Sequence, residues 1–383
     1  MLDFDLTEEQ KILRTSVRDF AQNEIAPVAR ELDEKERFSV ELTRKMGELG
    51  LFGMFVSEDY GGSNMGYVSY IIAVEEIARV DGSQAATVAA GNSLGIGPIY
   101  YFGSEEQKRA FLPDLCAGTK LAGFGLTEPE AGSDAGGSKT NAVLASREWV
   151  INGSKIFITN SANPMTSVTT VQAITGKRAD GKKEYSCILV PAGTKGLEAR
   201  EMHGKLMWRS SNTAELYFDD CKVPEANILG KRGEGFHQML KTLDGGRLSI
   251  AAMGLGGAQG AFEKALAYSK ERKQFGQPIC KNQVIAFKLA DMATKIEAAR
   301  NMLYKACWLR ENHKPFEQIA AMSKLYCSEV FKFVATEAVQ IHGGYGLMKE
   351  YDVERFFRDQ KLLEIGEGTS EVQRIVISRN LGC

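Results

Sequence analysis

The sequence predicts an α+β protein that is mainly α-helical, because its hydrophobic spacing changes twice along the chain. Apolar residues recur at helical spacing in the first third, for example at Leu13, Val17 and Phe20. From about Leu121 the apolar runs shorten to strand length, and after Gly233 the helical spacing returns. Helices, then strands, then helices indicate segregated α and β regions and disfavour an alternating, doubly wound sheet.

The chain of 383 residues is long enough for two or three domains, since a domain takes about 100 to 200 residues. The changes in spacing predict a helical domain over residues 1–120, a β domain over 121–232 and a helical bundle domain over 233–383. We find no internal repeat and no disordered linker between them.

The first domain is predicted to begin with a capped helix, because Thr7 and Gln10 have the spacing of a capping box. Further helices are predicted over residues 40–51, 67–80 and 105–116. Residues 82–104 carry no charge. Polar residues, glycines and a proline interrupt this segment, so it predicts a buried helix and turn, not a membrane span.

In the middle domain, two short apolar runs flank Asn152-Gly153. An Asn-Gly pair between two strands is typical of a tight hairpin turn, so we predict a hairpin there. Residues 185–190 and 214–218 predict further strands.

The last domain contains apolar residues at a 3.6-residue period from Ile285 to Leu303 and a second such run from Ile319 to Ile341. Helices this apolar have to pack against one another, so we predict a four-helix bundle. A glycine-rich run, Gly254 to Gly260, looks like a dinucleotide-binding turn. Its third glycine comes one residue late for that motif and no βαβ series surrounds it, so close helix packing is the better prediction.

Composition excludes several classes of function. The formal net charge of −2 provides no field for binding nucleic acid. The seven cysteines are scattered and the four histidines lack metal-site spacing, so neither a disulfide framework nor a metal site is predicted. The amino terminus lacks the layout of a signal peptide, and we expect a cytoplasmic location.

The segment most suggestive of chemistry is Gly366-Glu367-Gly368 near the carboxyl end. Flanking glycines allow close approach to the backbone, and a carboxylate enclosed in an apolar pocket has the raised pKa of a working base. The alternative is a plain helix start, with Thr369 as the N-cap of the helix that follows. Taken alone, this segment leaves both interpretations open.

Six motifs in order decide between them, and through them the chain resembles the acyl-CoA dehydrogenase family from end to end. The likeness is greatest to the short-chain, butyryl-CoA dehydrogenase-like branch. The motifs are Phe124 to Asp134, Lys155 to Asn160, Leu243 to Arg247, Arg272 to Gly276, Gln340 to Gly346 and Glu367 to Thr369.

The resemblance implies the acyl-CoA dehydrogenase fold, with an N-terminal helical domain, a middle β-barrel-like domain and a C-terminal four-helix bundle. It also implies an FAD flavoprotein of fatty acid β-oxidation that forms a homotetramer and passes electrons to electron-transferring flavoprotein. The location would be cytoplasmic in a bacterium, or the mitochondrial matrix for a processed eukaryotic form.

By motif match, the resemblance assigns FAD contacts to two sets of residues. The set expected around the flavin ring is Phe124, Leu126, Thr127, Gly132, Ser133, Phe157, Ile158 and Thr159, and Thr369 and Glu371 are expected to complete the cofactor site. The set expected at the diphosphate and adenine, across a subunit boundary, is Arg272, Gln283, Gln340, Ile341, Gly343 and Gly344. Phe275 is a further expected FAD contact.

The resemblance also assigns Glu367 as the catalytic base that removes the α-proton of the acyl-CoA while the β-hydrogen leaves as hydride to flavin N5. Substrate contacts are implied for Ser133, Asp244, Arg247 and Gly368. Relatives such as isovaleryl-CoA dehydrogenases place the base on the helix near Asp244; here that position is Gly246, which cannot act as one.

Departures from the family pattern affect the substrate and leave other functions open. Gly366 stands where relatives often have tyrosine, and Ala89-Ala90-Gly91 is small where relatives line the acyl pocket, so branched or cyclic acyl groups are candidates beside straight short ones. No role is predicted for Trp208 or for the side chain of Phe157 in place of tryptophan. The alternatives are an acyl-CoA oxidase using oxygen and a non-catalytic acyl-CoA- or flavin-binding protein.

Overall fold

The computed structural model describes residues 5–383, and helices occupy its first part as far as Cys116. The capping box of Thr7 and Gln10 is present in both directions, which confirms the predicted helix start. The α-helices of this part are α1 (Glu8–Phe20), α2 (Ala26–Glu34), α3 (Val40–Glu48), α4 (Gly66–Ala78), α5 (Gly82–Ala90), α6 (Gly97–Phe102) and α7 (Glu105–Cys116).

The uncharged segment 82–104 forms α5, a π-helical turn at Gly91–Ile96 and α6, and most of it is buried in the helical core. This confirms the prediction of a buried helix and turn. Among residues 5–383, no helix has both the length and the apolar character that crossing a bilayer requires.

The middle of the chain forms an eight-stranded mixed sheet in the order β6-β7-β3-β2-β4-β5-β8, with β1 parallel to β4. One face encloses a small apolar core of its own. The strands are β1 (Leu121–Gly125), β2 (Asn141–Ala145), β3 (Glu148–Thr159), β4 (Thr166–Lys177), β5 (Lys183–Pro191), β6 (Leu197–Glu201), β7 (Thr213–Pro224) and β8 (Ile228–Leu229).

The predicted hairpin at Asn152-Gly153 is wrong. Both residues lie inside β3, where the register with β7 shifts between Ile151 and Gly153. A side chain on Gly153 would come within 2.6 Å of the Thr140 hydroxyl, so this glycine serves a close approach at a β-bulge. The turn between β2 and β3 instead uses Ser146 and Arg147, both at positive φ, which are residue types that give little turn signal.

The last part of the chain is helical again. A two-stranded ribbon, β9 (Lys273–Gln274) and β10 (Gln277–Pro278), follows its first helix. The helices are α8 (Gly235–Glu271), α9 (Gln283–Glu311), α10 (Glu317–His342), α11 (Val353–Leu363) and α12 (Ser370–Asn380), and α10 packs against each of the others.

The glycine-rich run 254–260 lies in the middle of α8, which excludes a phosphate-binding turn. Added side chains would meet backbone carbonyl oxygens of α4 and its C-cap, at 2.1 Å from Glu75 for Gly256 and at 2.1 Å from Arg79 for Gly260. The small residues therefore allow α8 to pack closely on α4, as predicted.

The segment 204–212 joins the sheet to both helical parts, which gives Trp208 a structural account. Its backbone N–H donates to Asp359 of α11 at 2.9 Å, and its indole ring packs on Gly82 at the start of α5. Arg358 donates to the carbonyl of Leu206 at 3.0 Å. The contacts of Trp208 are buried, and together with the more exposed Arg358 bond they hold this segment of the sheet on the helices.

Candidate active site

The turn between α11 and α12 presents Glu367 in a left-handed conformation. Glu367 has φ 52 and Gly368 has φ 89, so the chain reverses sharply there. Lys324 of α10 and Gln373 of α12 both donate to the Gly368 carbonyl, at 2.8 and 2.9 Å. Thr369 caps α12 by accepting from the Val372 N–H, which confirms the capping interpretation.

Glu367 as a whole residue is half-buried. Its Oε2 atom is buried and has no hydrogen-bond partner among the described residues. Burial raises the pKa of this carboxyl to about 7, against the opposing charges of Lys324 and Arg247. A carboxyl with this pKa is suited to proton transfer near neutral pH.

The two positions that relatives use for a base lie side by side. A Cβ atom on Gly246 of α8 would stand 2.0 Å from Oε2 of Glu367. Only glycine leaves room for the carboxylate at this point on α8. A glycine at position 246 and a glutamate base at position 367 therefore go together for a steric reason.

Two of the predicted substrate-binding residues, which flank Gly246 on α8, form an ion pair with each other. Arg247 donates to Asp244 at 2.6 Å, and burial raises the pKa of Asp244 against the effect of Arg247. The Nε atom of Arg247 is buried without a partner among residues 5–383. Gly368 lies beside Glu367, whereas Ser133 is exposed on the loop between β1 and β2.

Tyr67 and Tyr70 of α4 form an aromatic wall near Glu367 that the sequence did not single out. Tyr67 donates to the Gly245 carbonyl at 2.9 Å, and Tyr70 donates to the Ala89 carbonyl at 2.8 Å. Burial raises the pKa of Tyr70, and the charge of Glu367 acts in the same direction, so the two groups are within electrostatic range. The sequence signal that could have indicated this wall is the pair of tyrosines three residues apart on a helix without a polar face.

The segment that follows β1 and the end of β3, both expected at the flavin ring, lie next to each other. The Ile156 N–H donates to the Thr127 carbonyl at 3.0 Å, and buried Lys155 donates to the Leu126 carbonyl at 3.1 Å. Phe157 has φ 62 and is 62% exposed. Phe124, Leu126 and Ile158 are buried, Thr127 and Thr159 are half-buried, and Gly132 and Ser133 are exposed.

This surface fits a flat ring with a polar edge. The hydroxyls of Thr127 and Thr159 have no protein partner within the described range, so they are free to bond to a ligand. The aromatic face of Phe157 is exposed on the same strand, β3, as Thr159. Thr369 and Glu371 belong to the cap of α12 and lie on the chain close to Glu367.

A second group of predicted cofactor residues lines an open cleft of about 590 Å³ at the end of α10. Arg272, Ile341, Gly343 and Gly344 border this cleft, and Tyr345 lies 5.7 Å from the Arg272 guanidinium. An arginine beside unobstructed glycine backbone suits a phosphate group. The structure places Phe275, Gln283 and Gln340 on the surface outside the lining of this cleft, and Phe275 is 96% exposed.

Comparison with known proteins gives matches along the whole chain. Models of the acyl-CoA dehydrogenase N-terminal, middle and C-terminal domains match residues 7–119, 123–221 and 233–382. A probable acyl-CoA dehydrogenase of Bacillus subtilis is 52% identical, covering 99% of this chain and 100% of the relative. A short-chain specific acyl-CoA dehydrogenase of Clostridium acetobutylicum is 48% identical, covering 98% and 99%.

Two solved structures show the same fold. Butyryl-CoA dehydrogenase from Megasphaera elsdenii superposes with a TM-score of 0.96 at 44% identity and covers 100% of both chains. A chain from a structure described as the electron transferring flavoprotein of Acidaminococcus fermentans has a TM-score of 0.96 at 44% identity and covers 99% of both chains.

Proposed function

This chain belongs to the acyl-CoA dehydrogenase family, and we propose that it oxidises short-chain acyl-CoA thioesters to trans-2-enoyl-CoA with Glu367 as the base. The observation that carries the proposal is the carboxyl of Glu367, whose Oε2 is buried without a partner among residues 5–383 and whose pKa burial raises to about 7. The short-chain and butyryl-CoA enzymes among its relatives support the acyl length.

The family uses FAD, and the residues present fit that cofactor. The β1 and β3 segments would hold the ring through Thr127, Thr159 and Phe157. The cleft at Arg272 and Gly343-Gly344 would hold phosphate, on this subunit's or a neighbour's cofactor. When bound, FAD supplies the acceptor for the hydride that leaves the β-carbon.

The residues of this chain perform the proton half of the reaction. Glu367 takes the α-proton, which leaves negative charge on the thioester oxygen as an enolate. The backbone N–H of Glu367 donates to no protein atom among residues 5–383, so it is free to bond to that oxygen. A donor preset toward developing charge stabilises the transition state more than the ground state.

Electron-transferring flavoprotein is our proposed electron acceptor. Support comes from the likeness to a chain of the Acidaminococcus fermentans structure described as that flavoprotein. An acyl-CoA oxidase would need the same base but would reduce oxygen. Reoxidation of the reduced protein by air, followed by stopped-flow absorbance, separates the two.

A short but wide acyl pocket predicts a particular substrate profile. Ala89, Ala90 and Gly366 are small, while Tyr67 and Tyr70 add bulk near the base. We expect kcat/KM to peak at butyryl- or hexanoyl-CoA and to remain measurable for isobutyryl- and cyclohexanecarboxyl-CoA. One methylene contributes only about 1 to 3 kcal/mol, so neighbouring chain lengths should differ by roughly tens of fold.

Steady-state assays with a dye acceptor measure this profile. A maximum at octanoyl-CoA or longer contradicts the short-chain assignment. Complete rejection of the branched and cyclic substrates contradicts the proposed width alone.

Arg272→Ala is expected to weaken FAD retention, because it removes the arginine cation from the cleft proposed to hold phosphate. The proposed homotetramer would bring a neighbour's cofactor to this cleft. Melting temperature should fall, and added FAD should restore part of it by mass action. Flavin absorbance per subunit and thermal melts measure both effects, and exposed Lys270→Ala is the control. An Arg272→Ala protein with full FAD content and unchanged melting rules out this assignment.

A further inference from the structure

Lys324 is a buried lysine that the reaction described above does not use. Its side chain is 0% exposed, and no carboxylate of residues 5–383 lies within 4 Å of its ammonium group. Lys155, the other fully buried lysine, has such a partner in Glu128 at 2.8 Å. A buried charge without an ion pair is costly, so the site of Lys324 needs a reason of its own.

The contacts of Lys324 lead to the turn that carries the base. Its ammonium donates to the Gly368 carbonyl, the residue after Glu367, at 2.8 Å. Gln373 donates to the same carbonyl at 2.9 Å and approaches the Glu367 carbonyl at 3.4 Å. One neutral donor therefore already satisfies this carbonyl, and a second neutral donor would serve as well as a lysine for hydrogen bonding alone.

We propose that Lys324 is the positioning residue of the base, fixing the left-handed turn at Glu367-Gly368 and supplying the positive charge that keeps the Glu367 carboxylate ionised. This inference rests on the function proposed for Glu367. Lys324 acts through Glu367, so it is not itself a catalytic residue.

The charges around Glu367 support Lys324 as the positioning residue and Glu367 as the base. Lys324 on α10 and Arg247 on α8 favour its ionised form, and Tyr70 on α4 faces it as a neutral phenol. Arg247 already donates to Asp244 at 2.6 Å. Burial lowers the pKa of Lys324 to about 8, and the charge of Arg247 acts in the same direction; the charge of Glu367 opposes them first, and Glu364 and Glu371 do so more weakly. Of the two cations that favour ionised Glu367, Lys324 is therefore the one without an ion pair to a carboxylate among residues 5–383.

The experiment compares three variants in the FAD-loaded protein. Lys324→Gln keeps a donor for the Gly368 carbonyl and removes the charge, whereas Lys324→Met removes both. Lys332→Met is the matched control, since Lys332 is exposed on the same helix and pairs with Glu364 at 3.1 Å. The readout is kcat/KM for butyryl-CoA from pH 5.5 to 9.5, because its acid limb reports the base in the free enzyme.

We expect the acid limb of wild type near pH 7. In Lys324→Gln the limb should move up by about one pH unit, since loss of a nearby opposite charge raises a carboxyl pKa. Activity at pH 7 should fall about fivefold and approach wild type near pH 9. Lys324→Met should show the same shift with a lower plateau, and Lys332→Met should show no shift.

An acid limb that stays at the wild-type pH in Lys324→Gln overturns the inference, as does a loss of rate that is equal at all pH values. If Lys324→Met does not fold, Lys324→Gln decides alone. Glu367→Gln separates this failure from failure of the proposed function. If Glu367→Gln leaves turnover intact, the base assignment fails; if it removes turnover while the Lys324→Gln limb is unmoved, only the role of Lys324 fails.

Discussion

Glu367→Gln is expected to lower kcat for butyryl-CoA by roughly two to four orders of magnitude, the usual range for loss of a general base. Glutamine has nearly the same shape but cannot accept the α-proton. FAD content, measured by absorbance, and acyl-CoA binding should persist, because the turn at Gly368 keeps its contacts with Lys324 and Gln373.

Glu364→Gln is the matched control for this experiment. It lies three residues earlier and pairs with Lys332 and Lys361 instead of facing the site. Its turnover should stay within a few-fold of wild type. If Glu367→Gln has equally little effect, Glu367 is not the base.

Gly246→Ala is expected to lower kcat by about a hundredfold with little loss of stability. The new methyl group would lie 2.0 Å from Oε2 of Glu367, so the carboxylate has to move. A displacement of about 1 Å at a reacting group can cost about a hundredfold in rate. Because the contact is with the end of a flexible side chain, the fold can adapt.

Substitutions at two other glycines test whether Gly246→Ala lowers kcat without lowering the stability of the fold. Gly256→Ala on the same helix would meet the Glu75 carbonyl at 2.1 Å, and backbone cannot move aside cheaply, so this variant should melt at a clearly lower temperature. Gly97→Ala meets nothing closer than 3.5 Å and should leave both quantities near wild type. A fully active Gly246→Ala protein would contradict the observed approach of α8 to the base.

Local sequence signals predicted much of the fold because they depend on residues close in the chain. The capping box at Thr7, the N-cap at Thr369 and the close packing of the Gly254 to Gly260 run are all present. The two interpretations of the Glu367 segment turned out to be compatible, since Thr369 caps α12 while Glu367 precedes it at positive φ.

Contacts between distant segments could not be read from the sequence. Asn152-Gly153 has a strong turn signal, yet pairing with β7 makes it a bulge. The approach of Gly246 to Glu367 and the bond from Lys324 to Gly368 each join separate elements. For the bond from Lys324 to Gly368, the sequence offered one indication, which is that Lys324 lies inside the apolar run of α10.

Anaerobic titration of the purified yellow protein with butyryl-CoA tests the central claim most directly. We expect the flavin absorbance near 450 nm to bleach in wild type as butyryl-CoA is added, up to about one equivalent per flavin, with crotonyl-CoA as the product. Glu367→Gln should bind butyryl-CoA and stay yellow over the same period. A wild-type protein that holds FAD and binds butyryl-CoA without bleaching would contradict the proposed oxidation of short-chain acyl-CoA.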